Sequence, residues 1–183
     1  METRTRVPTP DPDTGPEGLL GRLRAERQRV DDPERVAVLD VLLTHLEAEL
    51  VTLDLEATVS TLVADPVYRF YGVGGAMPDI NGLDAVRDLY RRQFAGGARQ
   101  TAGMTPDHVF VSADGVMLEG ELRMRGEHVI ATFPELVRDV DVSRPFCLVK
   151  RCVSILPVRD GKMTGERFYF DGPYRPEDVR YLD

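Results

Sequence analysis

Two apolar runs, Phe146 to Val158 and Met163 to Phe170, are joined through Asp160-Gly161. A two-residue Asp-Gly link between β-rich runs constrains the fold strongly, because both residues accept the positive φ of a type I′ turn. It predicts an antiparallel hairpin whose second strand ends at Asp171-Gly172-Pro173, where a turn must begin. Amphipathic helices and then strands precede this hairpin. Helices first and strands afterwards point to an α+β domain rather than an alternating α/β one.

The helices are placed by their caps. Glu17 to Val30 reads as a short charged helix with Leu19, Leu20 and Leu23 on its apolar side. Asp32-Pro33-Glu34 supplies an N-cap, a proline at the first helical position and an acid in the first turn. The apolar positions that follow, Val36, Leu39, Leu43, Leu46 and Leu50, recur three and four apart and share one face. Asp54 caps a second helix, expected to run to Asp65-Pro66. Val67 to Tyr71 is a strand, Gly72 to Pro78 a loop, and Asn81 the cap of a third helix that ends at Gly96-Gly97. Strands follow over Arg99 to Val111, in two pieces around Pro106, and over Val116 to Arg125. Residues 126–143 read as a loop or irregular crossover.

A chain of 183 residues is expected to form one domain, residues 17–183, behind a disordered tail at residues 1–16 that is neither signal peptide nor membrane span. The formal net charge of −8 lacks the basic footprint of a nucleic-acid binder. Cys147 and Cys152, at an odd separation on one strand, face opposite sides and cannot pair with each other, which fits a reducing cytoplasm. His45, His108 and His128 show no ligand spacing with a Cys or another His, so no metal or other cofactor is expected.

Three segments carry a family resemblance: Leu62-Val63-Ala64-Asp65, Asn81-Gly82-Leu83-Asp84-Ala85-Val86-Arg87, and Arg159-Asp160-Gly161-Lys162 followed by Tyr169-Phe170-Asp171. Over about residues 34 to 175 the chain resembles the nuclear transport factor 2 superfamily, in its SnoaL-like and ketosteroid-isomerase-like branch. The resemblance implies an α+β cone, a curved antiparallel sheet wrapped around three helices, in a homodimer formed through the sheet's outer face. It implies a hydrophobic cavity that holds a small polyketide-, terpene- or steroid-like molecule. Members of the superfamily include isomerases, dehydratases, cyclases and limonene epoxide hydrolase, as well as proteins with no chemistry. Known catalytic signatures match this chain only in part. Tyr71 stands where ketosteroid isomerase carries its Asp base. Gly165-Glu166-Arg167-Phe168-Tyr169-Phe170-Asp171 resembles the last strand of limonene epoxide hydrolase with Phe168 in the place of its Asp, and Gly103-Met104-Thr105-Pro106 has Met where bile-acid dehydratase has His.

Candidate residues follow from pattern and resemblance together. Glu121 and Arg123 share one face of a strand, and either belong to a solvated outer face or, in the family register, line the cone as a proton-transfer carboxylate and its charge partner. Lys150, in an otherwise apolar strand, is an edge-strand charge or a pocket cation. His45 and Tyr68 are expected as imidazole and hydroxyl partners, or as satisfied core groups. Met104, Phe168, Phe170, Tyr71, Leu148, Cys152 and Tyr90 form the expected ligand wall. Three kinds of function are left open: a cofactor-independent acid/base enzyme of isomerase, cyclase or dehydratase type, a protein that binds a small ligand unchanged, and a structural dimer whose cavity is filled.

Overall fold

The Asp160-Gly161 turn forms as its sequence requires, with positive φ of 52° and 71° at the two residues. It joins β5 (Phe146–Arg159) to β6 (Lys162–Phe170), which pair antiparallel from Arg159↔Lys162 to Cys152↔Phe170. In this computed structural model, which describes residues 16–73, 77–95 and 102–182, β5 is the spine of the sheet. Its other edge pairs with β4 (Gly115–Arg125), and β4 pairs with β3 (Ala102–Ser112). β1 (Leu62–Tyr71) runs parallel to β6 and carries the two-residue β2 (Ile80–Asn81) at its outer edge. The strand order is therefore β2-β1-β6-β5-β4-β3, and β7 (Val179–Tyr181) pairs with the first residues of β5.

Helices α1 (Pro16–Arg29), α2 (Pro33–Leu46), α3 (Leu55–Ser60) and α4 (Leu83–Ala95) surround the sheet's inner face. Two predicted caps form: the Asp32 carboxylate accepts from the Glu34 and Arg35 amides, and Asp54 accepts from Ala57, whereas Asn81 lies in β2, two residues before α4, and its side-chain amide donates to the Asp79 carbonyl. Leu20, Leu23, Leu39, Leu42, Val86 and Leu89 meet Leu118, Leu156 and Met163 in one continuous core. The buried stripe of α2 comprises Val38, Leu39, Leu42, His45 and Leu46, rotated from the expected stripe of Val36, Leu39, Leu43, Leu46 and Leu50 so that His45 lies inside it. No helix among the described residues is long and apolar enough to cross a membrane.

Three expectations are corrected. The second capped helix ends at Ser60, and Leu62 to Asp65 already belong to β1. Pro66 sits inside that strand at a register shift between Leu62 and Val67, where the ladder needs no amide hydrogen from it. β3 passes through Pro106 without breaking, again at a shift in register. Finally, residues 126–143 contain α5 (Gly126–Thr132) and a 3-10 turn (Pro134–Val137). β-Branched and aromatic residues there mask the helix, and packing of Val129 and Phe133 against Phe146 and Met124 overrides their weak helical preference. The Gly96-Gly97 helix end falls outside the described residues.

A candidate active site in the concavity of the sheet

Alternation along the strands decides what faces inward. Glu166, Phe168 and Phe170 on β6 line the same cavity as Tyr68 and Phe70 on β1, Met104 on β3, and Leu118, Leu122 and Met124 on β4. The helices close it with Leu46 and Glu49 on one side, Leu89, Tyr90 and Gln93 on another, and His128 and Phe133 from α5. The cavity encloses about 110 Å³. That is close to engineered apolar cavities of about 150 Å³ that take up benzene. Beyond Tyr174, which borders both spaces, an outer groove of about 740 Å³ lies over Leu148, Pro173 and Val179.

Polar groups converge at one end of this apolar space. The His45 imidazole is fully buried; its Nδ1 lies 2.6 Å from Thr61 Oγ1 and its Nε2 3.0 Å from the Tyr90 hydroxyl. Thr61 donates its own hydrogen to the Thr58 carbonyl at 2.7 Å, so Nδ1 is the donor of the His45–Thr61 bond. The Tyr90 hydroxyl is also 2.8 Å from that of Tyr68. One oxygen each of Glu49 and Glu166 lies 3.5 Å from His45 Nε2. Local structure builds this cluster. Glu49 follows His45 by four residues and sits in a π-helical turn, Glu47–Thr52, that ends at Leu53 with φ of 53°. Wide turns of this kind recur at functional sites. Tyr68 and Glu166 are register partners across β1 and β6.

The charges follow from burial and proximity. Burial alone would lower the His45 pKa, but the carboxylates of Glu166 and Glu49 outweigh it and raise the value to about 9. The ring is an imidazolium at neutral pH, its Nε2–H directed at the Tyr90 oxygen. Burial pushes the Glu166 carboxyl up and the charge of Glu49 adds to this, against the opposing pull of His45. Burial likewise holds Tyr68 and Tyr90 well above the usual tyrosine range, so both remain O–H donors. Across the cavity, burial lowers the His128 pKa to about 4 and leaves that ring neutral.

His45, Glu49 and Glu166 can also present one ligand atom each within 4.8 Å of one another, a spacing able to hold a cation. A search restricted to His and Cys spacing misses this set, because two of its members are glutamates. A proton on Nε2 and a metal ion there exclude each other.

The sequence candidates divide cleanly in space. Tyr68, Tyr90, Met104, Phe168 and Phe170 line the cavity, and His45 stands directly behind its polar end. Glu121 and Arg123 do not reach it, contrary to the family register. They project from the opposite face of β4 to Leu122 and Met124, and pair with each other at 2.6 Å. Tyr71 is on that outer face as well, stacked on Tyr169. Cys152 is in the core and Leu148 lines the outer groove. Lys150 is buried, and its ammonium is consumed by Asp178 at 2.8 Å, the Pro173 carbonyl at 3.1 Å and Asp171 at 3.2 Å. Two carboxylates escaped the sequence reading, Glu49 and Glu166. Their signals were present: Glu49 is four residues from His45, and Glu166 alternates with Phe168 and Phe170 on one strand face.

Comparison with known proteins agrees with this architecture. No curated protein matches the sequence. A protein from Shewanella putrefaciens CN-32 assigned as a SnoaL-like polyketide cyclase superposes with a TM-score of 0.56 at 11% identity, over 93% of each chain. One from Jannaschia sp. CCS1 with the same assignment gives 0.54 at 14% identity, over 78% of this chain and 90% of that one. An NTF2-like protein from Burkholderia xenovorans LB400 gives 0.51 at 15% identity, over 76% and 90%. At these identities the likeness is one of fold. A family model, the SnoaL-like domain, matches residues 43–166, from the last turn of α2 to Glu166 itself. The chain belongs to the SnoaL-like domain family.

Proposed function

We propose that this protein is an acid/base enzyme for a small, mostly apolar molecule, of isomerase, cyclase or dehydratase type, working at the Glu166 end of the cavity. The observation that carries the reading is the meeting of Glu49, Glu166, Tyr68 and Tyr90, backed by buried His45, at one end of an otherwise apolar space. Buried titratable groups that shift one another are the usual equipment of proton transfer.

Glu166 is the proton carrier in this scheme. Burial raises its pKa above the ordinary carboxylate value, which makes the carboxylate a stronger base. It removes a proton from the substrate, and the electron pair moves onto a carbonyl oxygen or, in a dehydration, into a new C=C bond as the C–O bond breaks and its pair leaves on the hydroxyl oxygen. The Tyr68 and Tyr90 hydroxyls, protonated throughout, are hydrogen-bonded to one another, so the pair offers that oxygen one free O–H. The His45 imidazolium offsets the negative charge of the closed end. The protonated Glu166 then returns the proton at a second position or to a leaving hydroxyl, so the cycle needs no external oxidant or reductant.

The test uses enolisable cyclic ketones and enones of six to ten carbons in D2O, with exchange at carbon followed by NMR. We expect the protein to accelerate exchange and Glu166→Gln to reduce the acceleration by about a hundredfold or more. Ligands that bind without exchange or turnover would instead support a carrier that returns its ligand unchanged.

A further inference from the structure

The polar end of the cavity is short of positive charge. Glu49 and Glu166 set two carboxylates there, and among the described residues the cationic partner of both is the single imidazolium of His45, 3.5 Å from each. The two glutamate side chains are only 12% and 9% exposed. Carboxylates so far out of water are paired in full or coordinate a metal ion. Two of them against one imidazolium leave an excess negative charge, whereas a divalent ion beside a neutral imidazole leaves none.

The donor atoms have the spacing of a coordination shell. Zinc bonds imidazole nitrogen and carboxylate oxygen at about 2.0–2.2 Å, which sets adjacent ligand atoms about 3.0–3.5 Å apart. His45 Nε2 lies 3.5 Å from an oxygen of each glutamate, and the three residues present one donor atom each within 4.8 Å of one another. A second observation, outside this set, orients the nitrogen. Thr61 Oγ1 accepts from Nδ1 at 2.6 Å, its own hydrogen committed to the Thr58 carbonyl. A neutral His45 ring therefore keeps its hydrogen on Nδ1 and turns the Nε2 lone pair towards the carboxylates, which is how metal-bound histidines are held.

We infer that the polar end of the cavity is a binding site for a divalent first-row transition metal, held by His45 Nε2 and one carboxylate oxygen each of Glu49 and Glu166. The mixed nitrogen and oxygen set suits Zn2+, Mn2+ or Fe2+ better than Mg2+ or Ca2+, which take oxygen donors. On binding, Tyr90 gives up its contact with Nε2 and keeps its bond to Tyr68. Glu49 and Glu166 line the cavity, so the ion faces it, and three protein ligands leave a position for an oxygen of the bound molecule. This goes beyond the acid/base reading: a Glu166 that ligates a metal no longer carries a proton, and the scheme above describes the metal-free protein.

Protein freed of metal by a chelator is titrated calorimetrically with ZnCl2, with and without MgCl2 in about a hundredfold excess over zinc. The wild type should take up one zinc ion per chain, and magnesium should not displace it. Losing even a hydrogen-bond partner of a metal ligand costs about 10–100-fold in affinity, so Glu49→Gln and His45→Gln should each weaken zinc binding by about tenfold or more. Circular dichroism confirms folding, and Glu49→Gln, at the cavity wall, decides the matter if His45→Gln does not fold. Glu121→Gln, on the outer face of the sheet, should leave the affinity unchanged. Zinc binding that is absent, that magnesium abolishes, or that persists at full strength in Glu49→Gln would overturn the inference. Exchange at carbon is measured on the metal-free protein, so failure of either reading leaves the other standing.

Discussion

At the scale of single residues, two buried histidines, His128 lining the cavity and His45 behind its polar end, take opposite charge states. His45 has a folded pKa of about 9, above the unfolded value of 6.5, so its contribution is complete below 6.5 and is lost as pH rises through 9. His128 has a folded pKa of about 4, so the folded state is favoured while that ring is neutral, and this is lost as pH falls from 6.5 through 4. Stability should therefore peak near pH 6.5 and decline on both sides, each flank amounting to a few kcal/mol at most. Urea titrations across this range check it: His45→Gln should flatten the alkaline flank and His128→Phe the acid one. Of these residues only His45 was legible as a candidate from sequence. The nearby Glu49 was hidden because a glutamate on a charged helix resembles any solvated residue, and His128 because its helix was not recognised.

At the scale of elements, the parallel pairing of β1 and β6 sets Glu166 beside Tyr68. Gly165 has φ of 132°, and a Cβ there would lie 1.9 Å from the Val67 carbonyl oxygen, so no side chain fits. Gly165→Ala should force the strands apart beside Glu166 and destabilise the protein by about 3 kcal/mol or more, read by chemical denaturation. A native-like stability would show that the close approach is dispensable. Caps and turns at this scale were legible: Asp32, Asp54 and Asp160-Gly161 each act through local hydrogen bonding or backbone preference. What failed was the direction of faces. Glu119, Glu121, Arg123 and Arg125 alternate with apolar residues, which is the ordinary pattern of a half-solvated strand, and the simple reading of that pattern holds over the family register. The extended path through Pro66 was missed because proline suppresses helix and strand alike, and only tertiary pairing decides.

At the scale of the whole molecule, Lys150 ties the C-terminal segment to the spine of the sheet. Its ammonium joins β5 to Asp171, Pro173 and Asp178, and the segment it holds carries Tyr174, which borders the cavity. Removal of the ammonium would leave the largely buried Asp178 carboxylate without a cation, while Asp171 is more than half exposed to water, so the cost is about 1–3 kcal/mol. Lys150→Met should therefore lower stability and, before global unfolding, loosen β7, seen as faster amide exchange at Val179 to Tyr181. Unchanged protection there would mean the latch contributes nothing. A cation in this role is not free to meet an anionic ligand.

The charge state of His45 is the most direct test of the acid/base centre. Its ring nitrogens can be titrated by NMR in uniformly 15N-labelled protein, with His45→Gln assigning the signals. The account predicts an imidazolium at pH 7 that loses its proton near pH 9, and a lower pKa in Glu166→Gln, where one of the two stabilising carboxylates is gone. A ring already neutral at pH 7, or one that ignores Glu166→Gln, would contradict it.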